Sequence, residues 1–144
     1  MRFFVVDASI IVKWIFPDRE DEKHIPQALN VLSAIKQNAI KILQPPHWLA
    51  EVAAVIVRLK PAIAKESVEL LNAMEFPVID TLEVYDIACE LSERFNHHLF
   101  DTLYHAVALS HGNAELITAD EQYYQKTIKK GSIIRIADFS LFDD

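Results

Sequence analysis

The 144-residue chain has one cysteine, Cys89, so intrachain disulfides are excluded and a cysteine metal cluster has no basis. Cys89 falls in a helical pattern among apolar neighbours and is expected to be a buried, inert thiol. Two glycines leave no Gly-rich phosphate loop. Walker A and dinucleotide fingerprints are therefore absent, which removes the commonest nucleotide-binding readings. No apolar run reaches about 18 residues, so no membrane span is expected. A charged N-terminal region followed by a signal-type apolar stretch is also missing, and a cytoplasmic location is the default expectation. Positive charge is in short supply, with a formal net charge of −7. That argues against broad attraction to nucleic acid but leaves room for a local basic strip or a metal-filled acidic site.

What is present is apolar and alternating. Hydrophobic residues make up 51% of the chain, ample for a core in one domain spanning residues 1–144. The opening run Phe3–Val6 reads as a strand buried on both faces. Ile10–Phe16 follows as a short helix ended by Pro17, then Ile25–Gln37 as a second helix and Ile40–Leu43 as a second strand. Pro46 suits the start of a helix over His47–Lys60. Ala64–Met74 is a further helix, and Phe76–Ile79 a weak strand that Pro77 confines to an edge. Thr81 caps a helix over Leu82–Phe95, Asn96-His97-His98 interrupts, and Leu99–His111 is helical again until Gly112. Glu115–Thr118 is a strand, Asp120–Lys130 a helix, Ile133–Ile136 a last strand and Ala137–Asp144 an acidic tail. The alternation predicts a three-layer α/β/α domain around a mainly parallel, five-stranded sheet.

Two carboxylates follow strands directly, Asp7 after FFVV and Asp120 after ELITA. Both belong at the carboxyl edge of the sheet, where open α/β folds place ligands. Capping is the competing reading: Asp7 or Ser9 at one helix start, Asp120 at another. Asp101 opens the helix before the second of these strands, and Glu51 lies about one turn into the helix after the second strand. Four convergent carboxylates raise one another's pKa or require a cation. An all-oxygen set suits Mg²⁺ or Mn²⁺, which can bind a phosphodiester and activate water.

The segments VVDASIIVKWIFPD, PPHWLAEVAAVI, HHLFDTLYHAVAL and LITADEQYYQK resemble, in order and spacing, the four acidic motifs of PIN domains, specifically VapC-type toxins. The resemblance implies a metal-dependent endoribonuclease, the toxin of a toxin–antitoxin pair, hydrolysing RNA with a metal-bound water. It assigns metal-ligand and catalytic roles to Asp7, Glu51, Asp101 and Asp120, with Ser9 and Thr118 holding carboxylates or waters behind them. Glu121-Gln122 stand where some members carry a further aspartate, which bears on a second ion. A homodimer and a cognate antitoxin that places a basic side chain in the site are implied as partners.

Other residues divide between chemistry and packing. Lys13 reads as an RNA-phosphate contact or a snorkelling helix lysine. His105, four residues after Asp101, reads as a substrate contact or a packed histidine. His97 and His98, at a helix start, are expected to be exposed, with metal ligation as the lesser reading. Trp14, Phe16 and Trp48 read as core or dimer contacts, and Lys126, Lys129 and Lys130 as an RNA-facing strip or a solvated helix end. Two other functions compete. A phosphoacceptor receiver domain predicts an acidic pair after the first strand and a lysine after the last, where this chain has Asp7 alone and no such lysine. A silent PIN scaffold that only binds a partner predicts decay of the acidic set, and all four positions are present.

Overall fold

The apolar run at the start of the chain forms the centre of the sheet. The computed structural model describes residues 1–141, so the end of the expected acidic tail lies outside the described residues. Strand β1 (Arg2–Val6) pairs in parallel with β2 (Ile40–Ile42) on one side and β3 (Ala114–Thr118) on the other, and β3 pairs in parallel with β4 (Ile133–Arg135). The order is β2-β1-β3-β4. Phe4, Val5 and Val6 are buried, as a strand flanked on both edges and covered on both faces demands.

Helices α1 (Ala8–Ile15), α2 (Ile25–Lys36), α3 (Trp48–Leu59), α4 (Ala64–Asn72), α5 (Leu82–Phe95), α6 (Leu99–His111) and α7 (Glu121–Thr127) complete the described chain. Their apolar stripes meet in one core cluster that includes Ile10 and Ile11 of α1, Val52 and Ile56 of α3, and Tyr104 and Val107 of α6. Trp14 and Trp48 are core residues; the Trp14 indole donates to the Ala28 carbonyl at 2.8 Å.

The sheet has four strands among the described residues, not five. Phe76–Ile79 is reduced to a single parallel bridge, Gln44 with Val78. The Gln44 N–H donates to the Pro77 carbonyl at 3.0 Å, and the Ile79 N–H donates to the Gln44 carbonyl at 2.8 Å. The ladder stops there because Pro45 and Pro77 have no N–H to extend it. Gln44 serves a second purpose. Its side-chain oxygen accepts from the Val6 N–H at 3.2 Å and its amide donates to the Val6 carbonyl at 2.9 Å. A buried side chain thus stands in for a strand partner at the last residue of β1.

Two expectations about α5 and α6 need correction. Cys89 is exposed: Val84, Ala88 and Leu91 form the inward stripe of α5, and Cys89 is one residue out of phase with it. His97 is not exposed; its side chain retains 11% of its accessible surface. Asn96 takes the left-handed conformation at the end of α5 (φ 48°), and the turn folds His97 back against the ring of Tyr123 at 4.7 Å.

Candidate metal centre

In the order β2-β1-β3-β4, the connection after β1 leads to one side and the connection after β3 to the other. The crevice at their carboxyl ends is the switch point of the fold. Val6 stands opposite Ile117 in the register, which sets Asp7 beside Thr118.

Asp7 begins α1, and its backbone carbonyl accepts from the Ile10 N–H at 3.1 Å. Its side chain makes no capping bond. Instead the carboxylate accepts short hydrogen bonds from the hydroxyls of Ser9 and Thr118. Those hydroxyls are themselves held from behind: Ser9 Oγ accepts from the Ala119 N–H at 3.1 Å, and Thr118 Oγ1 from the Asp120 N–H at 3.0 Å. The end of β3 therefore grips the end of β1 through one carboxylate. Desolvation at the base of the crevice pushes the Asp7 pKa up to about 7. The two hydroxyl bonds offset part of that rise, and the charges of Asp101 and Asp120 add to it.

Asp120 does cap α7, its Oδ1 accepting from the Tyr123 N–H at 3.0 Å. Its other oxygen lies 4.0 Å from His97 Nε2. Asp101 sits in the first turn of α6, whose start is capped by His98 Nδ1 accepting from the Phe100 N–H at 3.2 Å. Asp101 Oδ2 is 3.1 Å from His97 Nε2. Ligand atoms of His97, Asp101 and Asp120 all lie within 4.8 Å of one another, the one such group among the described residues.

Glu51 approaches from α3. Its Oε1 accepts from the Tyr104 hydroxyl at 3.0 Å, and burial followed by the charge of Asp101 raises its pKa. One turn earlier, His47 Nε2 donates to the Phe100 carbonyl at 2.7 Å, which ties the start of α3 to the start of α6. Burial lowers the His47 pKa against the opposing pull of the Phe100 carbonyl and the Asp101 charge, and its Nδ1 is buried without a hydrogen-bond partner. The Tyr104 hydroxyl is raised by burial and by the charges of Glu51, Asp7 and Asp101. Asp7 thus feels the charges of Asp101 and Asp120, and Glu51 that of Asp101.

Among the described residues no lysine or arginine pairs with any of the four. A buried carboxylate beside two others and without a cationic side chain is the donor set a divalent ion compensates. Asp101 and Asp120 bring ligand atoms within reach of one such ion, and Asp7 and Glu51 stand in the same acidic neighbourhood.

The remaining candidates separate. His105 is fully buried: Nε2 donates to the Gly131 carbonyl at 2.8 Å and Nδ1 accepts from the Tyr123 hydroxyl at 2.9 Å. Both ring nitrogens are committed, so it is a strut between α6 and α7 and not a substrate contact. Lys13 is 5% exposed and pairs with Glu22 at 3.2 Å. It lines a cavity of about 390 Å³ beside Thr118, Ala119, Lys23, His24 and Arg135. His97 is the residue that reading the sequence placed among the exposed histidines, with metal ligation as the lesser reading. Asn-His-His was visible as a helix break, but nothing in the spacing indicates that the left-handed turn aims His97 inward.

A family profile described as the PIN domain matches residues 4–129. The chain belongs to the PIN-domain family. Solved structures share this PIN fold across nearly the whole chain. VapBC2 from Rickettsia felis, bound to a DNA fragment from its promoter, superposes with a TM-score of 0.68 at 17% identity, covering 92% of this chain and 98% of that one. A toxin–antitoxin complex from Klebsiella pneumoniae gives 0.64 at 16% identity over 100% of both chains. PAE2754 from Pyrobaculum aerophilum gives 0.66 at 17% identity, covering 94% of this chain and 90% of that one. Among curated proteins no sequence matches the chain significantly.

Proposed function

We propose that this PIN domain is a divalent-metal-dependent endoribonuclease, the VapC-type toxin of a toxin–antitoxin pair. The observation that carries the reading is the meeting of Asp7, Glu51, Asp101 and Asp120 at the β1/β3 switch point without a balancing lysine or arginine. The structural neighbours, which include toxin–antitoxin complexes, support the toxin assignment and a cognate antitoxin as partner. A homodimer and a cytoplasmic location complete the proposal. No helix among the described residues is long and apolar enough to cross a membrane.

The chain's own groups have distinct tasks. Mg²⁺ or Mn²⁺, when bound, supplies Lewis-acid charge to the phosphodiester and lowers the pKa of water. Asp7 anchors the cation at the base of the crevice, and Ser9 and Thr118 fix the direction of its lone pairs. Asp101 and Asp120, with side chains 45% and 41% exposed, face the entrance where a phosphate arrives. Tyr104 holds Glu51 Oε1 and leaves Oε2 for the cation or a water. Lys13, Lys23 and Arg135 bring cationic groups beside Thr118 and Ala119, in a lining of mixed charge that they share with Asp21 and Glu121.

The test is cleavage of a structured and an unstructured RNA by antitoxin-free protein in Mg²⁺, Mn²⁺ or EDTA. Cleavage is expected with either ion, to vanish in EDTA and to be lost in Asp7→Asn and Asp101→Asn. Folded protein that binds no divalent ion and cuts neither RNA, or variants that cut normally, overturn the assignment. A partner-binding scaffold would then account better for the fold.

A further inference from the structure

The PIN-type carboxylates leave one polar group of the crevice unassigned, the imidazole of His97. Its Nε2 faces Asp101 Oδ2 at 3.1 Å and Asp120 Oδ2 at 4.0 Å. Ligand atoms about 2.1 Å from an ion and at right angles lie about 3.0 Å apart, so the His97–Asp101 pair has the spacing of two adjacent ligands. The ring is held edge-on by Tyr123, with centroids 4.7 Å apart, and its backbone N–H donates to the Ser92 carbonyl at 3.1 Å. It is therefore fixed in place before any ion arrives. We propose that His97 is a nitrogen ligand to the divalent ion held by Asp101 and Asp120, and that it biases this site toward first-row transition ions over Mg²⁺. The inference rests on the metal-dependent reading above and refines it: an imidazole suits transition ions, whereas Mg²⁺ takes oxygen ligands and keeps its waters.

The proton balance identifies a second participant. Lys126 Nζ lies 3.2 Å from His97 Nδ1. In the ion-free protein the lysine donates to Nδ1, so the ring hydrogen resides on Nε2 and is donated to Asp101. Coordination needs the Nε2 lone pair. The hydrogen then moves by exchange with solvent to Nδ1, the ring stays neutral and no proton is lost overall. Nδ1–H no longer accepts from Lys126, so ion binding releases that ammonium at the mouth of the crevice. There it is free to meet an RNA phosphate.

The experiment uses pulsed electron paramagnetic resonance on Mn²⁺-loaded protein, with Mn²⁺ and Mg²⁺ titrations of the wild type, His97→Gln, Lys126→Met and Asp101→Asn. Glutamine keeps a donor toward Asp101 but supplies no imidazole. The expected result is ¹⁴N coupling in the wild type that disappears in His97→Gln. Mn²⁺ affinity should fall about tenfold in that variant while Mg²⁺ affinity changes by less than about twofold. Lys126→Met should keep the nitrogen coupling and bind Mn²⁺ at least as tightly. Bound Mn²⁺ without nitrogen coupling, or coupling that persists in His97→Gln, overturns the His97 assignment. If Asp101→Asn still loses both ions, the carboxylate centre stands without it. Wild-type protein that binds neither ion overturns the carboxylate centre as well.

Discussion

The two halves of the crevice are built on opposite principles. The inner half is Asp7 with Ser9 and Thr118: a carboxylate largely shielded from water, hydrogen-bonded only by hydroxyls, its pKa pushed up to about 7 by desolvation. The outer half is Asp101 and Asp120 with His97: nearly half-exposed carboxylates beside an imidazole. Water screens the outer pair, so their mutual repulsion is cheap to maintain. The inner carboxylate has no such relief, and its ionisation is set against the stability of the fold.

The strongest way to break this comparison is to remove the inner charge. The Asp7 pKa is raised by folding, so its contribution to stability is fully present below the unfolded value of 3.8 and is lost as pH rises through about 7. In EDTA, the melting temperature should decline between about pH 4 and pH 7. The full displacement corresponds to about 4 kcal/mol. Asp7→Asn should flatten that decline and raise the melting temperature at pH 8, and Asp101→Asn, which removes one of the charges that raise the Asp7 pKa, should make it shallower. Added Mn²⁺ should stabilise the wild type more at pH 8 than at pH 5. Thermal melts across pH check all three, and a decline that survives in Asp7→Asn assigns the titration elsewhere.

Sharpening the inner half further, Thr118→Val keeps the shape and deletes one hydroxyl donor. Without that bond the Asp7 pKa rises, so the acidic limb of the pH–rate profile should move to higher pH and metal affinity should fall about tenfold. An unmoved limb would mean that Ser9 alone orients the carboxylate. The smallest effect is expected from Tyr104→Phe, which removes the hydroxyl on Glu51 and should cost about 1 kcal/mol of stability. Cleavage should decline only a few-fold, because Glu51 retains its place on α3; urea melts and RNA cleavage rates measure the two effects.

The inner half was legible in the sequence because strands announce themselves. A buried run ending in Asp7, and another ending in Thr118-Ala119-Asp120, place their last residues at one sheet edge by parallel pairing alone. The resemblance to the PIN-domain motifs added Ser9 and Thr118, each two residues from one of those carboxylates. The outer half depended on geometry that helical spacing does not carry. His97 is turned inward by the left-handed Asn96, and periodicity gives no sign of that turn. His105 lies on the same side of α6 as Asp101, yet whether it reaches the crevice depends on Tyr123 and Gly131, 18 and 26 residues away in the chain. Phe76–Ile79 had strand composition but too few free backbone donors, with proline at 45 and 77, to join the sheet.

Gln44 shows how firmly the base of the crevice is set. Peptide-like hydrogen bonds from one side chain hold both polar backbone groups of Val6, one residue before Asp7. The aspartate therefore inherits the immobility of a strand at a point where the neighbouring strand has already ended. Little conformational freedom remains at this position to be lost on binding, so the entropy of ordering the anchor is charged to folding and not to the arriving ion or RNA.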